Sequence, residues 1–351
     1  MITDKIGDIR LLERSRVEKW LIEQGEQRYR FRQLEEWLWT KGVRSFDEIT
    51  SFPKCLRDKL SQNFSFISVS TYKIKESKDG TLKSLFSLYD DELVEGVLII
   101  SNNRSTACIS TQVGCKSGCK FCATGQAGFK RNLHFVEIFD QVTILNKLSV
   151  EHTGRPLSNI VFMGMGEPLL NYEAVKESVK YITGKPGLEM SPSRITLSTV
   201  GIPEMIKKMG DDNVKYNLAI SFHAANDSKR SELIPLAKKY NLKELATAIK
   251  YFHKKTNNRI TIEYLLLGGV NDLPGDAAEL AIFCRNFPVK INLINFNPVK
   301  GLDFVNSSKE DTLRFQKILK NKNMIVNIRR SRGIDIDAAC GQLAGKSNIT
   351  E

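Results

Sequence analysis

Apolar positions along this chain follow two regimes. Up to about Phe66 they recur at helical intervals: from Leu11 to Gln24, and again where Phe31, Leu34, Trp37 and Leu38 share one helical face. Three segments of strand character follow, Ser70–Glu76, Thr81–Tyr89 and Leu93–Ile100, with tight turns at Lys78-Asp79-Gly80 and Asp90-Asp91. This predicts a small meander rather than the start of a dinucleotide-binding unit. From about Arg104 the pattern alternates. Strands are predicted at Arg104–Thr111, Asn159–Met163, Arg194–Ser198, Asn217–Ser221, Ile260–Leu266 and Lys290–Asn295. Helices are predicted between them at Val136–Leu148, Tyr172–Tyr181, Pro203–Met209, Leu242–Lys254 and Gly275–Asn286. Alternation of this kind builds an α/β parallel sheet with right-handed crossovers. About six such units make an incomplete barrel rather than a closed one of eight. A helix at Lys309–Lys320, a strand at Met324–Arg329 and a tail of small residues end the chain.

The pattern divides the chain into four parts: a helical accessory domain (1–69), a β-meander linker (70–103), a partial barrel (104–300) and a C-terminal extension (301–351). A length of 351 residues suits one large domain with a small one, and 41% hydrophobic with 26% charged residues is ordinary globular composition. Charge changes the picture more. Against 40 Asp+Glu stand 52 Lys+Arg, a formal net charge of +12, which points to a polyanionic partner such as nucleic acid. Arg28-Tyr29-Arg30-Phe31-Arg32 interleaves arginine with aromatic rings in the accessory domain, as RNA-binding surfaces do. Lys130-Arg131 and Arg329-Arg330 with Arg332 are further candidates for backbone contacts. Met1 to Arg16 has no apolar core, so no signal peptide is expected, and no apolar run approaches the roughly 18 residues of a membrane span. A cytoplasmic monomer without membrane contact is the expectation.

Seven cysteines, three of them tightly clustered, fit a reducing compartment with metal or catalytic thiols better than a disulfide scaffold. The cluster reads Cys115-x3-Cys119-x2-Cys122. Three thiolates at that spacing can grip three corners of a cubic iron–sulfur cluster and leave one iron free. A closed electron carrier or a structural zinc site wants four ligands. A zinc knuckle completed by His134 or a distant cysteine is the competing reading. After the second core strand comes Met163-Gly164-Met165-Gly166-Glu167-Pro168, where glycines let backbone approach a ligand. Ser198, Ser221-Phe222-His223 and Asn297 end three further strands and point polar groups at the same mouth. Cys108 lies on the first core strand, and Cys340 among small residues that leave its thiol reachable. Cys55 and Cys284 are read as small buried hydrophobes.

The phrase from Gly114 to Cys122 resembles the signature of the radical S-adenosylmethionine (SAM) superfamily. Together with Cys108-Ile109-Ser110-Thr111-Gln112-Val113, Cys122-Ala123-Thr124-Gly125, Gly128-Phe129-Lys130-Arg131-Asn132-Leu133, the Gly164–Pro168 turn and Asp337-Ala338-Ala339-Cys340-Gly341-Gln342-Leu343, it resembles the RlmN/Cfr radical SAM RNA methyltransferases. The resemblance spans nearly the whole chain. Pro168 and Glu95-Gly96-Val97 favour the RlmN branch, which methylates carbon 2 of adenine, over the Cfr branch, which methylates carbon 8.

The resemblance implies a six-unit partial radical SAM barrel, one 4Fe–4S cluster on Cys115, Cys119 and Cys122, and two SAM molecules consumed per turnover. It implies that Gly166, Glu167, Ser198, Ser221, Phe222, His223 and Asn297 contact SAM. Cys340 would carry an S-methylcysteine intermediate, Glu95 would accept the carbon-2 proton, and Cys108 would resolve the adduct through a transient disulfide with Cys340. The implied substrates are 23S rRNA and tRNA, with a flavodoxin-type electron donor. A non-catalytic iron–sulfur RNA-binding module is the rival of another class; it needs neither Cys340 nor the glycine turn.

Overall fold

A computed structural model of the chain describes residues 7–67 and 69–345. Residues 1–6 and 346–351 of the predicted accessory domain and C-terminal extension, and Ser68, lie outside the described residues. The N-terminal part holds α1 (Arg14–Glu23), α2 (Tyr29–Glu35) and α3 (Lys54–Asn63). Phe31, Leu34 and Leu38 are buried as the helical period requires, but Trp37 is not. Residues Glu36–Thr40 form a π-turn, with the Lys41 N–H bonded to the Glu36 carbonyl at 3.0 Å. The wider turn shifts the face, so Trp39 goes inward and stacks on Tyr181 at 3.6 Å, while Trp37 is left half-buried at the rim of the core under Lys41. Arg10, fully buried, bonds Asp8 at 2.9 Å and Asp140 at 2.6 Å, tying this part to the helix Phe135–Thr153 of the barrel domain.

The meander is β1 (Ser70–Glu76), β2 (Leu82–Ser87) and β3 (Leu93–Ser101), paired antiparallel. It does not stand apart: β3 pairs antiparallel with β4 (Arg104–Cys108), so the meander continues the barrel sheet. A hairpin of β5 (Gln112–Gly114) and β6 (Phe129–Asn132), with the short α4 (Ala123–Gln126) between, brackets the cysteine loop. The alternating run is α5 (Phe135–Thr153), β7 (Asn159–Phe162), α6 (Tyr172–Thr183), β8 (Ile195–Thr199), α7 (Pro203–Asp211), β9 (Asn217–Ser221), α8 (Asp227–Leu233), α9 (Leu242–Thr256), β10 (Ile260–Leu266), α10 (Pro274–Cys284), β11 (Lys290–Asn295), α11 (Lys309–Asn321) and β12 (Ile325–Arg329).

The ten-stranded sheet runs β1-β2-β3-β4-β7-β8-β9-β10-β11-β12, and every pair from β4 to β12 is parallel. Six of these strands are the predicted barrel units. β12 adds a seventh parallel strand in register with β11, Ile291 opposite Val326, because α11 supplies the crossover that the unit needs. Central strands are buried on both faces, as in Leu218-Ala219-Ile220, which is why they read as unbroken apolar runs. Cys284 is buried as predicted; Cys55 is not. It sits on the outer face of α3, whose inward positions are Leu56 and Leu60.

Candidate active site

The cysteine loop leaves the C-terminal edge of the sheet. Gly114, at φ +74°, lets the hairpin close: a Cβ there would lie 1.9 Å from the Gly128 carbonyl oxygen. The Cys115 N–H bonds that same carbonyl at 2.7 Å, and the Ser117 N–H reaches the Cys115 sulfur at 3.4 Å. Cys115, Cys119 and Cys122 line one cavity together with Gly166, Ser198, Ser221 and His223. Burial pushes the Cys115 thiol up to about 11 and raises Cys119 and Cys122 as well.

Each SAM-contact candidate has a distinct surrounding. Gly166, at φ +103°, packs its Cα against Gln112; a Cβ would come within 2.6 Å of the Gln112 side chain. Its glycine is thus required by the protein's own packing, not only by an approaching ligand. The Glu167 carboxylate accepts N–H groups of Leu169 at 3.0 Å and Val200 at 2.8 Å, so it ties the ends of β7 and β8 together. Ser198 and Ser221 bond each other through their hydroxyls at 3.1 Å, both facing the cavity. His223 has a left-handed backbone, φ +61°, and its Nδ1 accepts the Leu265 N–H at 2.9 Å. That bond fixes the proton on Nε2. Burial, helped by Arg230, lowers the imidazole to about 3, so His223 offers a neutral N–H donor to the cavity. Two candidates are not in the cavity wall. The Phe222 ring packs in the core on Phe283 at 4.4 Å. Asn297 is buried and donates its amide to the Cys340 carbonyl at 3.1 Å, holding the tail.

Cys340 is exposed and lines two adjoining cavities: that of the cysteine triplet, and a second one that also contains Cys108. The tail carrying it is stapled across the mouth. Gly341 accepts the Ala123 N–H at 2.7 Å, and the Gln342 amide reaches the Pro298 carbonyl at 2.9 Å. Cys108 is buried and pushed up to about 12, chiefly by desolvation and secondly by Cys340, with Arg329 opposing. Glu95 is not in these cavities. Its carboxylate accepts the Ala344 N–H at 2.8 Å, pairs with Lys83 at 3.3 Å, and lines a neighbouring groove.

The sequence signature described as the radical SAM superfamily matches residues 109–281, and that of the ribosomal RNA large subunit methyltransferase N-terminal domain matches residues 8–66. The "probable dual-specificity RNA methyltransferase RlmN" of Cytophaga hutchinsonii is 49% identical over 96% of this chain and 93% of that one. The protein of the same description in Staphylococcus aureus strain Newman is 42% identical over 95% and 92%. The crystal structure of a radical SAM methyltransferase from Sphaerobacter thermophilus superposes with a TM-score of 0.92 at 38% identity, covering 97% of this chain and 99% of that one. The chain belongs to the RlmN family.

Radical SAM membership implies a 4Fe–4S cluster and SAM, and the donor set of this RlmN family chain fits them. Cys115, Cys119 and Cys122 border one cavity and supply three thiolates, one fewer than the four ligands of a structural zinc site or a closed electron-carrier cluster. His134, the candidate zinc ligand, caps α5 and leans on Tyr89 instead. Arg230 is 1% exposed, has no carboxylate within ion-pair range among the described residues, leaves its Nε unpartnered, and lies close enough to Cys119 to feel its charge. A buried cation of this kind calls for nearby negative charge, which a thiolate-ligated cluster supplies. Sequence reasoning missed Arg230 and Glu263, whose unpartnered Oε2 faces Arg329 at 3.7 Å in the triplet's cavity. Arg329 itself, read as a candidate RNA contact, lines both cavities instead, beside Cys340 and Glu263.

Proposed function

We propose that the chain methylates carbon 2 of adenine in 23S rRNA and tRNA through a cysteine-borne methyl group. The observation that carries this reading is Cys340, which borders the cavity of Cys115, Cys119 and Cys122 on one side and that of Cys108 on the other. Carbon 2 of adenine lies between two ring nitrogens and is too electron-poor to attack a sulfonium methyl itself. Cys115, Cys119 and Cys122 would hold the cluster, and the polar strand ends would hold SAM. When bound, these groups supply the one-electron chemistry that removes a hydrogen from a methyl group.

The chain's own residues do the rest. Cys340, as thiolate, accepts a methyl by displacement; a thiolate is a strong nucleophile near neutral pH. The methyl it carries, once stripped of one hydrogen atom, bonds to carbon 2 and joins protein to RNA; the odd electron this leaves on the ring would be taken up by the bound cluster, which supplied one for the abstraction. Glu95 accepts the carbon-2 proton, which requires the tail N–H groups now bonded to its carboxylate to release it. Cys108, as thiolate, attacks the Cys340 sulfur; the bond from that sulfur to the methylene carbon breaks, the carbon keeps the electron pair and takes a proton to become the methyl group, and the two sulfurs are left as a disulfide. His223 donates its Nε2–H to the cofactor at the cavity wall. The reading includes a flavodoxin-type donor, a monomer and a cytoplasmic location; no helix among the described residues is long and apolar enough to cross a membrane.

Two variants test it. Cys340→Ala abolishes methyl transfer while iron still loads, and Cys108→Ala accumulates a covalent protein–RNA adduct visible on a denaturing gel. Normal turnover by the first, or clean product release by the second, refutes the assigned roles.

A further inference from the structure

The groove beside Glu95 has a volume of about 850 Å³. One wall is β1, an edge strand whose seven residues are all exposed. Its pairing with β2 shifts register between Thr71, opposite Phe86, and Lys73, opposite Leu85. Tyr72 is the extra residue of this bulge, and it lines the groove on the same side as Lys73 and Lys75; a regular strand would send neighbours to opposite faces. Lys83 stands opposite Lys75, and Glu95 opposite Leu85, so the same face leads from the sheet edge to the carboxylate. Lys300 comes from the far wall, on the loop after β11.

Charge pairing separates this groove from part of the basic stretches that the sequence suggested, though Arg28, Arg32, Arg330 and Arg332 are likewise without a carboxylate in ion-pair range among the described residues. Lys130 is bonded to Glu92 at 2.7 Å, Arg131 to Asp90 at 2.6 Å and Glu137 at 2.8 Å, and Arg30 to Glu26 at 3.2 Å. Lys73, Lys75 and Lys300 have no carboxylate within ion-pair range among the described residues; only Lys83 is paired, to Glu95. Three unneutralised ammonium groups along a slot, with one aromatic ring at its lip, match a phosphate backbone carrying unstacked bases.

We propose that this groove receives the single-stranded RNA flanking the target adenosine, with Lys73, Lys75 and Lys300 on successive phosphates and Tyr72 stacked on a base. The proposal rests on the reading of the chain as an RNA methyltransferase and names the path by which RNA reaches Glu95. A buried site cannot reach carbon 2 within a duplex, so an unpaired segment must be delivered. RNA filling the groove meets the Ala344 N–H bond to Glu95 and displaces it, exposing the carboxylate.

The test is filter binding of the full chain to an rRNA hairpin fragment and to a tRNA anticodon stem-loop across a salt series. For the Lys73→Gln/Lys75→Gln/Lys300→Gln variant the slope of log K against log salt falls by about 2–3, near one unit for each phosphate no longer neutralised. Tyr72→Ala weakens binding by about fivefold or more with the slope unchanged. Lys130→Gln leaves both unchanged. If the triple variant keeps wild-type affinity and slope, the groove is not the RNA path, while the methyltransferase reading stands. If the wild-type chain itself binds neither RNA in a salt-dependent way, the reading fails and the proposal with it.

Discussion

Cys108 is the least expected nucleophile of the site, because its surroundings hold it as a thiol. Burial pushes it up to about 12 from an ordinary 9.0. Three units at about 1.4 kcal/mol each favour the neutral form by about 4 kcal/mol. At pH 8 only about one Cys108 in ten thousand is ionised, so its alkylation is slow at that pH. The perturbation is pH, and the assay is iodoacetamide labelling of folded Cys340→Ala protein with the cluster loaded, read peptide by peptide by mass spectrometry. Labelling of the Cys108 peptide should rise about tenfold per pH unit from 7 to 11. The exposed Cys55 in the same sample serves as the accessible reference. The same shift predicts a stability effect. The folded thiol binds its proton more tightly than the unfolded one, so the stability is whole below about pH 9 and is lost as pH rises toward 12. A labelling rate that levels off near pH 9 or below would refute the reasoning, since it would mean that desolvation does not govern this thiol.

Three other outcomes follow from the geometry. His223 is held neutral down to about pH 3, while an unfolded histidine protonates below about 6.5; the unfolded state then binds more protons, and stability falls by about 2–3 kcal/mol between pH 7 and 4.5. His223→Gln should remove that part of the acid loss in denaturant melts, and an unchanged difference would contradict the buried neutral imidazole. Gly166→Ala should destabilise by roughly 1–2 kcal/mol for its left-handed backbone and by about 1–3 kcal/mol more for the collision with Gln112; a wild-type melting temperature would count against it. Arg230→Met should raise the melting temperature of the metal-free chain, because an unpaired buried charge goes, and lower the iron retained after reconstitution. The reverse pair of results would show that Arg230 serves the fold and not the cluster.

The sequence was most legible where one local rule acts alone. β9, β10 and β11 fall on the predicted residues because strands buried on both faces read as apolar runs between turns. The cysteine triplet stood out by its spacing, and its three residues do line one cavity. Elsewhere a second effect overrode the first. The π-turn at Glu36–Thr40 swapped Trp37 for Trp39, and no residue pattern announces an i→i+5 bond. β12 was read as a strand of the C-terminal extension and not as a barrel unit, because its sheet partner is set by the crossover through α11, not by its own residues. Arg329 lies in a basic run and looks like a surface charge; only β12's place at the sheet edge brings it to Cys340. Glu95 shares its face of β3 with Val97 and Ile99, which border the Cys108 cavity, but it lies further along the strand, where Ala344 and Gly345 of the tail cover it. Arg230 carried no sequence signal, since an arginine on a short helix is ordinarily solvated.

The account rests on a cysteine-borne methyl group delivered to an electron-poor ring carbon. The direct measurement is nucleoside mass spectrometry of rRNA fragment treated anaerobically with reconstituted chain, SAM whose methyl group carries three deuteriums, and a strong reductant. The account predicts 2-methyladenosine whose new methyl retains only two of the three deuteriums, since one is removed while the group sits on Cys340. A methyl group at carbon 8, or one at carbon 2 with all three deuteriums kept, would contradict it.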